Sequence, residues 1–154
     1  MRWGTFSVYG VKLHLLCATN RVPLSYELTA ANDVAEVKLS EELLAEAGLG
    51  DEGGGLARKL FGDLAYRSEA LEEALAEAGI LLVVTERSRQ CGARQQVEIA
   101  LASLKREFRI EETLATTLTG LATRIAAKIA AYTYGLFVNR VLGRPQGRIK
   151  ELWA

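Results

Sequence analysis

The sequence predicts an α/β domain. Two β-rich segments, residues 8–18 and 22–29, are separated by three polar residues, which is the pattern of a hairpin. Two short segments at residues 56–61 and 80–85 follow, and each has the length of a buried strand. From residue 93 onward, apolar residues recur at helical spacing. Helices between and after these strands complete the pattern of an α/β domain.

Helix signals connect and follow these strands. Asn32 can cap a first helix, and Ser68 can cap a second one that ends before Gly79. Serine and asparagine satisfy the first backbone N–H groups of a helix, whereas glycine tolerates the left-handed conformation that often ends one. The apolar spacing then predicts a helix over residues 93–108 and a longer one over residues 114–142.

The composition indicates a single globular domain. With 154 residues and 49% hydrophobic content, the chain is long enough to bury a sizeable core. We expect the folded domain to cover residues 1–142, followed by a flexible tail over residues 143–154. The apolar windows are too short to span a bilayer, and Cys17 and Cys91 match no metal-ligand spacing. We therefore expect a cytoplasmic protein without a membrane partner.

The charge of the chain is divided between its two parts. Residues 1–86 carry 7 Lys/Arg and 14 Asp/Glu, whereas residues 87–154 carry 12 and 5, so that the net charge is zero. A basic part can contact phosphates even in a neutral molecule, because counterion release depends on the local charge. Solvated helix faces would give the same distribution, and the charge alone leaves both interpretations open.

One helical face of the basic part combines a carboxylate with two cations. At about 100° per residue, Arg94, Glu98 and Lys105 fall within about 40° of one another. Asp63 follows the predicted strand at residues 56–61 and could supply a second carboxylate. Magnesium usually takes one or two carboxylates together with phosphates and water. Each residue also has an ordinary role, because Asp63 can cap a turn and Glu98 can pair with Arg94 along the helix.

Two further features carry a weaker functional signal. Residues 48–53 fit the dinucleotide pattern G-x-G-x-x-G, but a helix precedes them and a strand follows, which is the reverse of the required order. His14 shares a strand face with Lys12 and could lie near a metal, although a structural histidine fits the same position.

Taken in order, these segments resemble the catalytic domain of the D-D-E transposases of bacterial insertion sequences. YGVKLHLL (9–16) and PLSYELTAAN (23–32) are similar to the second and third strands of that family, FGDLAY (61–66) to its second-Asp motif, and VEIALASLKREF (97–108) to its catalytic-Glu helix. Arg94, Glu98 and Lys105 repeat the family's R-(3)-E-(6)-K spacing, whereas the tyrosine that precedes this arginine in the family falls at Cys91.

The resemblance implies an RNase H-like fold, with a mixed sheet flanked by helices and truncated at its N-terminal side. It also implies cleavage and strand transfer of DNA, with transposon ends and target DNA as partners in the nucleoid. Asp63 and Glu98 would be the catalytic residues and would hold Mg²⁺ or Mn²⁺. The DNA-binding residues would be Arg94, Lys105, Arg87, Arg89 and Arg109.

The family's first catalytic aspartate has no counterpart in this sequence. It lies on the strand before the one matched by residues 9–16, whereas the first aspartate here is Asp33, at the start of the first predicted helix. We therefore expect a partial and inactive catalytic domain, with an N-terminal transposase fragment or a homo-oligomer as partner. Two alternatives are a noncatalytic DNA-binding or assembly protein derived from a transposable element, and a small α/β interaction domain whose motif matches are accidental.

Overall fold

The described part of the chain begins with strands and ends with helices, and one helix lies between the last two strands. The computed structural model describes residues 2–3, 6–7, 10–30, 44, 59–62, 66–84 and 92–152. The strands are β1 (Arg2–Trp3), β2 (Phe6–Ser7), β3 (Val11–Cys17), β4 (Pro23–Ala30), β5 (Lys59–Gly62) and β6 (Leu81–Val84). The helices are α1 (Glu69–Glu77), α2 (Gly92–Arg106), α3 (Leu118–Val141) and a 3₁₀ helix (Ile149–Leu152). The predicted α/β class is confirmed, while the helix expected after Asn32 lies outside the described residues.

The described strands pair two by two. β1 and β2 are antiparallel, β3 pairs with β4, and β5 runs parallel to β6 with Gly62 opposite Val84. Residues 18–22 are the whole connection between β3 and β4, so these strands can pair only in the antiparallel sense. The hairpin expected from the sequence is confirmed, whereas a single RNase H-like mixed sheet stays a prediction.

A helix links the two parallel strands, as parallel pairing requires. The side chain of Ser68 accepts a hydrogen bond from the backbone N–H of Leu71 at 3.4 Å, which caps the start of α1. Beyond the other end, Gly79 adopts a left-handed backbone with φ 72°. Both ends of this helix agree with the sequence prediction.

The chain divides into two compact units, each with its own core. The strand unit contains Met1–Cys17 and Leu24–Gln95, and the helical unit contains Ala18–Pro23 and Gln96–Ala154. In the strand unit, the buried cluster consists of Leu44, Leu71, Leu75 and Ile80. In the helical unit, the buried apolar residues are Ala100, Leu104, Ile110, Ile125, Ile129, Tyr132, Leu136 and Ile149.

The longest described helix, α3, supplies one face to the core of the helical unit. Its predicted apolar stripe is confirmed at Ile125, Ile129, Tyr132 and Leu136, all of which are buried. The helix begins at Leu118 rather than near residue 114, because Thr117 accepts from the backbone N–H of Gly120 at 3.1 Å and Leu114 is left-handed with φ 50°. Within the described ranges, no helix is both long and apolar enough to cross a bilayer.

The C-terminal segment, for which the sequence predicts a flexible tail, contacts α3. Asn139 is buried in α3, and its side-chain Nδ2 donates to the backbone carbonyl of Gln146 at 3.2 Å. The backbone carbonyl of Asn139 accepts from the N–H of Arg144 at 2.8 Å. The 3₁₀ helix then packs Ile149 against Gly135, where a Cβ would lie 2.9 Å from Ile149 Cγ2. Periodicity cannot indicate this packing, because the segment is too short for a repeated apolar signal.

Candidate active site

α2 presents Glu98 and Lys105 on one exposed side. The buried residues of the same helix are Ala100, Ser103 and Leu104, which lie at least about 100° around the helix axis from both exposed side chains. This separation arises because apolar and small residues recur at helical spacing on the packed side, which leaves the charged positions to solvent. Glu98 is therefore a solvent-exposed residue of α2.

Two predicted DNA-binding cations are paired with carboxylates. Lys105 Nζ lies 2.7 Å from Glu111 Oε1, and Arg109 Nη1 lies 3.6 Å from Glu112 Oε2. The exposed fractions of these side chains are 56% and 68% in the first pair and 72% and 68% in the second. Such exposed pairs contribute at most about 1 kcal/mol each, because solvent and salt screen them. Incoming phosphates can therefore displace the carboxylates at a small cost.

The backbone at Arg109 turns the chain back over the end of α2. Arg109 has φ 46°, a left-handed conformation that is uncommon for a residue with a side chain. This turn lets the N–H of Ile110 donate to the carbonyl of Leu104 at 3.0 Å. Ile110 is buried, so the turn is held by a core contact as well as by the hydrogen bond.

Two cations of α3 hold the loop that follows this turn. Lys128 Nζ donates to the carbonyls of Arg109 at 2.6 Å and Glu112 at 3.1 Å. One turn earlier, the guanidinium of Arg124 donates to the carbonyl of Thr113. From the sequence alone, Arg124 and Lys128 contribute only to the basic charge of residues 87–154. Their i,i+4 spacing does indicate that they share a helix face. Their role in the structure is to satisfy backbone carbonyls.

The remaining predicted residues fall in less well described segments. Asp63, Arg87 and Arg89 lie outside the described residues, as does the side chain of Arg94, which is a residue of α2. β5 ends at Gly62, immediately before Asp63, and its register partner Val84 ends β6. Because the strands are parallel, the segments that carry Asp63 and Arg87 begin at the same edge of the pair. The pairing of Asp63 with Glu98 stays a prediction.

Glu98 has the ligand chemistry that a magnesium site requires, because its exposed carboxylate supplies hard oxygen donors. One carboxylate alone is a poor site for this ion, which usually adds a second carboxylate or phosphates. Across the part of the chain that the structure describes, no three His, Cys, Asp or Glu side chains are grouped closely enough to hold a metal. A metal site at Glu98 therefore requires further oxygen ligands, such as phosphates or the carboxylate of Asp63.

His14 is a buried residue of β3. Its side chain is 7% exposed, and Nε2 lies 3.0 Å from Thr29 Oγ1 on the paired strand. A buried polar side chain that has such a partner stabilises its surroundings, whereas an unpaired one would be costly. This contact supports the structural role for His14 over a role at a metal site.

The described part of the chain is an α/β protein whose helix α2 exposes a glutamate and a lysine on one side. Residues 2–134 match the sequence model of the family described as Transposase DDE domain. The match covers most of the 154 residues, and the chain belongs to this family, whose members act in DNA transposition and typically use divalent metal ions. No curated protein and no solved structure matches the chain.

Proposed function

We propose that this chain forms part of a DDE transposase active site that cleaves and joins DNA at transposon ends. The observation that carries the proposal is the family match across residues 2–134, which includes both Asp63 and Glu98. Asp63 and Glu98 would hold Mg²⁺ or Mn²⁺. A bound ion of this kind supplies activation of the attacking oxygen and stabilisation of the leaving oxygen.

The basic residues of the chain bind and orient the DNA in this proposal. Lys105 and Arg109 exchange their exposed partners, Glu111 and Glu112, for backbone phosphates. Arg94, which precedes Glu98 by one helical turn, would position the strand beside the carboxylate. Arg87 and Arg89, in the segment between β6 and α2, would extend the same phosphate path.

We propose that the third carboxylate of the family lies outside these residues, because no aspartate precedes Asp33. An N-terminal transposase segment would supply it in the nucleoid, and the chain would also associate as a homo-oligomer. The 154 residues alone should then bind DNA without cutting it, since two-metal catalysis depends on the complete set of ligands.

Manganese binding tests the pairing of Asp63 with Glu98. Paramagnetic Mn²⁺, titrated into the isotope-labelled chain, should broaden the amide signals around both residues together. Asp63→Asn or Glu98→Gln should remove the broadening at both positions, because each carboxylate holds the same ion. Glu77→Gln, an exposed carboxylate at the end of α1, is the matched control and should leave the broadening unchanged. Broadening at only one of the two residues would contradict a shared site.

A nicking assay on supercoiled plasmid separates the proposal from its alternative. With Mg²⁺ or Mn²⁺, the 154-residue chain should leave the plasmid intact. Reproducible nicking that is lost in Asp63→Ala would show that the chain needs no third carboxylate. DNA binding without Mn²⁺ broadening at Asp63 and Glu98 would favour the alternative, a noncatalytic DNA-binding or assembly protein derived from a transposable element.

A further inference from the structure

A polar groove of about 550 Å³ lies within the helical unit, between the turn at residues 18–22 and the C-terminal segment. Its polar lining residues are Thr19, Asn20, Arg21, Gln96, Gln146 and Arg148. All six side chains can donate hydrogen bonds, and two of them are cations. Among the described residues that line this groove there is neither a carboxylate nor an aromatic ring. We name it the turn groove.

Two buried side chains of α3 fix the turns that border the turn groove. Tyr132 is 1% exposed, and its hydroxyl donates to the carbonyl of Arg21 at 3.4 Å. Asn139 is 0% exposed, and its Nδ2 donates to the carbonyl of Gln146 at 3.2 Å. These residues lie seven positions apart, which places them on the same face of the helix. Both turns are therefore attached to one rigid element.

The guanidinium of Arg21 is held in a defined orientation. Its Nε donates to Gln96 Oε1 at 2.7 Å, which uses one of the five N–H donors of the group. The backbone of Arg21 is left-handed, with φ 72°, and this conformation occurs within the tight turn between β3 and β4. A side chain at Gly147 would collide with Arg21 Nη1, so the glycine allows the guanidinium to approach the C-terminal segment.

The second cation, Arg148, belongs to a strongly basic segment. Residues 140–151 contain four Lys/Arg and one Glu. The glutamate is Glu151, whose Oε1 lies 3.3 Å from Arg148 Nη1 in a pair with side chains 65% and 53% exposed. An exposed pair of this kind is weak and can be displaced by a stronger anion. The surplus of positive charge favours such an anion.

We propose that the turn groove binds a phosphate group of a DNA backbone. Arginine side chains match phosphate oxygens with paired N–H donors, and the surrounding amides and hydroxyls add neutral donors. Contacts to phosphates carry no sequence information, so binding should be indifferent to sequence. The phosphate chemistry rests on the groove, whereas DNA as its source rests on the proposed function.

The turn groove is distinct from the face around Glu98. Gln96, which lines the groove, lies about 160° around α2 from Glu98, so the two sites occupy opposite sides of that helix. The family match ends at residue 134, and the segment that carries Arg148 lies beyond it. The groove would therefore hold a part of the DNA away from the carboxylates.

Salt-dependent binding of a labelled duplex of unrelated sequence tests the proposal. Arg21→Gln with Arg148→Gln in the 154-residue chain should lower the slope of log K against log salt by at least about 0.9, the value for one phosphate contact. Affinity should fall on the order of tenfold at about 0.1 M salt. The charge-matched control, Arg67→Gln with Arg106→Gln, removes two exposed arginines outside the groove and should keep the parental slope.

Two single variants make the test independent of folding defects. Glu151→Gln removes the carboxylate that competes for Arg148 and should strengthen binding severalfold, which a misfolded protein would not do. Gly147→Ala keeps every charge but displaces the guanidinium of Arg21, and it should weaken binding. Parental affinity in Glu151→Gln and in the double arginine variant would overturn the proposal.

Inorganic phosphate, titrated alone, distinguishes the two sources of the ligand. NMR signals of the arginine Nε–H groups report its binding at Arg21 and Arg148. Saturation by free phosphate, with a duplex slope that does not depend on these arginines, would overturn the DNA assignment. If replacing Arg94 and Lys105 lowers the slope but replacing the groove arginines does not, only the groove proposal fails. A chain that binds no duplex at all would contradict both proposals.

Discussion

Cys17 shows how burial changes the chemistry of one side chain in β3. Desolvation raises the pKa of its thiol from 9.0 to about 12, because the thiolate loses its hydration in the strand unit. At about pH 8 the reactive thiolate should be about a thousandfold rarer than in the unfolded chain. Disulfide exchange with an aromatic disulfide reagent, followed in a Cys91→Ser variant before and after denaturation, measures this difference. Equal rates in both states would show that the thiol is accessible.

The raised pKa of Cys17 also makes the free energy of unfolding depend on pH in the alkaline range. Below 9.0 the thiol is protonated in both states, and its contribution to stability is fully present. Between 9.0 and about 12 the unfolded chain releases the proton while the folded chain retains it, so the free energy of unfolding falls. Cys17→Ala should therefore lose less stability over this range than the parent. Denaturant titrations at matched pH values compare the two.

At the scale of elements, local patterns in the sequence predict helices better than they predict contacts between elements. Ser68 and Gly79 mark the ends of α1 because each end requires a particular residue type. The stripe from Ile125 to Leu136 follows from helical periodicity alone. The docking of Ile149 on Gly135 depends instead on the chain returning to α3, which no local pattern encodes.

Gly135→Ala tests this docking. Alanine improves the intrinsic helix propensity of α3 by about 1 kcal/mol, whereas overpacking against buried Ile149 costs about 1–3 kcal/mol. We expect the C-terminal segment to detach, so trypsin should cleave after Arg148 or Lys150 faster than in the parent. In the Ile149→Ala background, Gly135→Ala should add little to the cleavage rate, because the clash is gone. Strictly additive effects of the two changes would indicate that the residues do not interact.

At the scale of the whole molecule, the sequence predicts the family more fully than it predicts the site. The motifs around Asp63 and Glu98 indicate a transposase domain, and the family match agrees. Fewer cations are available to DNA than the basic charge of residues 87–154 suggests, because Arg124 and Lys128 donate to backbone carbonyls. Counting charges cannot separate these roles, since each depends on where the loop after α2 lies.

The last prediction concerns the DNA path beside Glu98. If Arg94 and Lys105 each contact one phosphate, replacing both with alanine should lower the slope of log K against log salt by about two units for duplex DNA. Glu111→Gln should act in the opposite direction, because it releases Lys105 from its 2.7 Å ion pair. Glu73→Gln, an exposed change on α1 in the acidic part, is the control and should matter far less. If the double variant keeps the parental slope and affinity, Arg94 and Lys105 form structural ion pairs and do not contact the DNA.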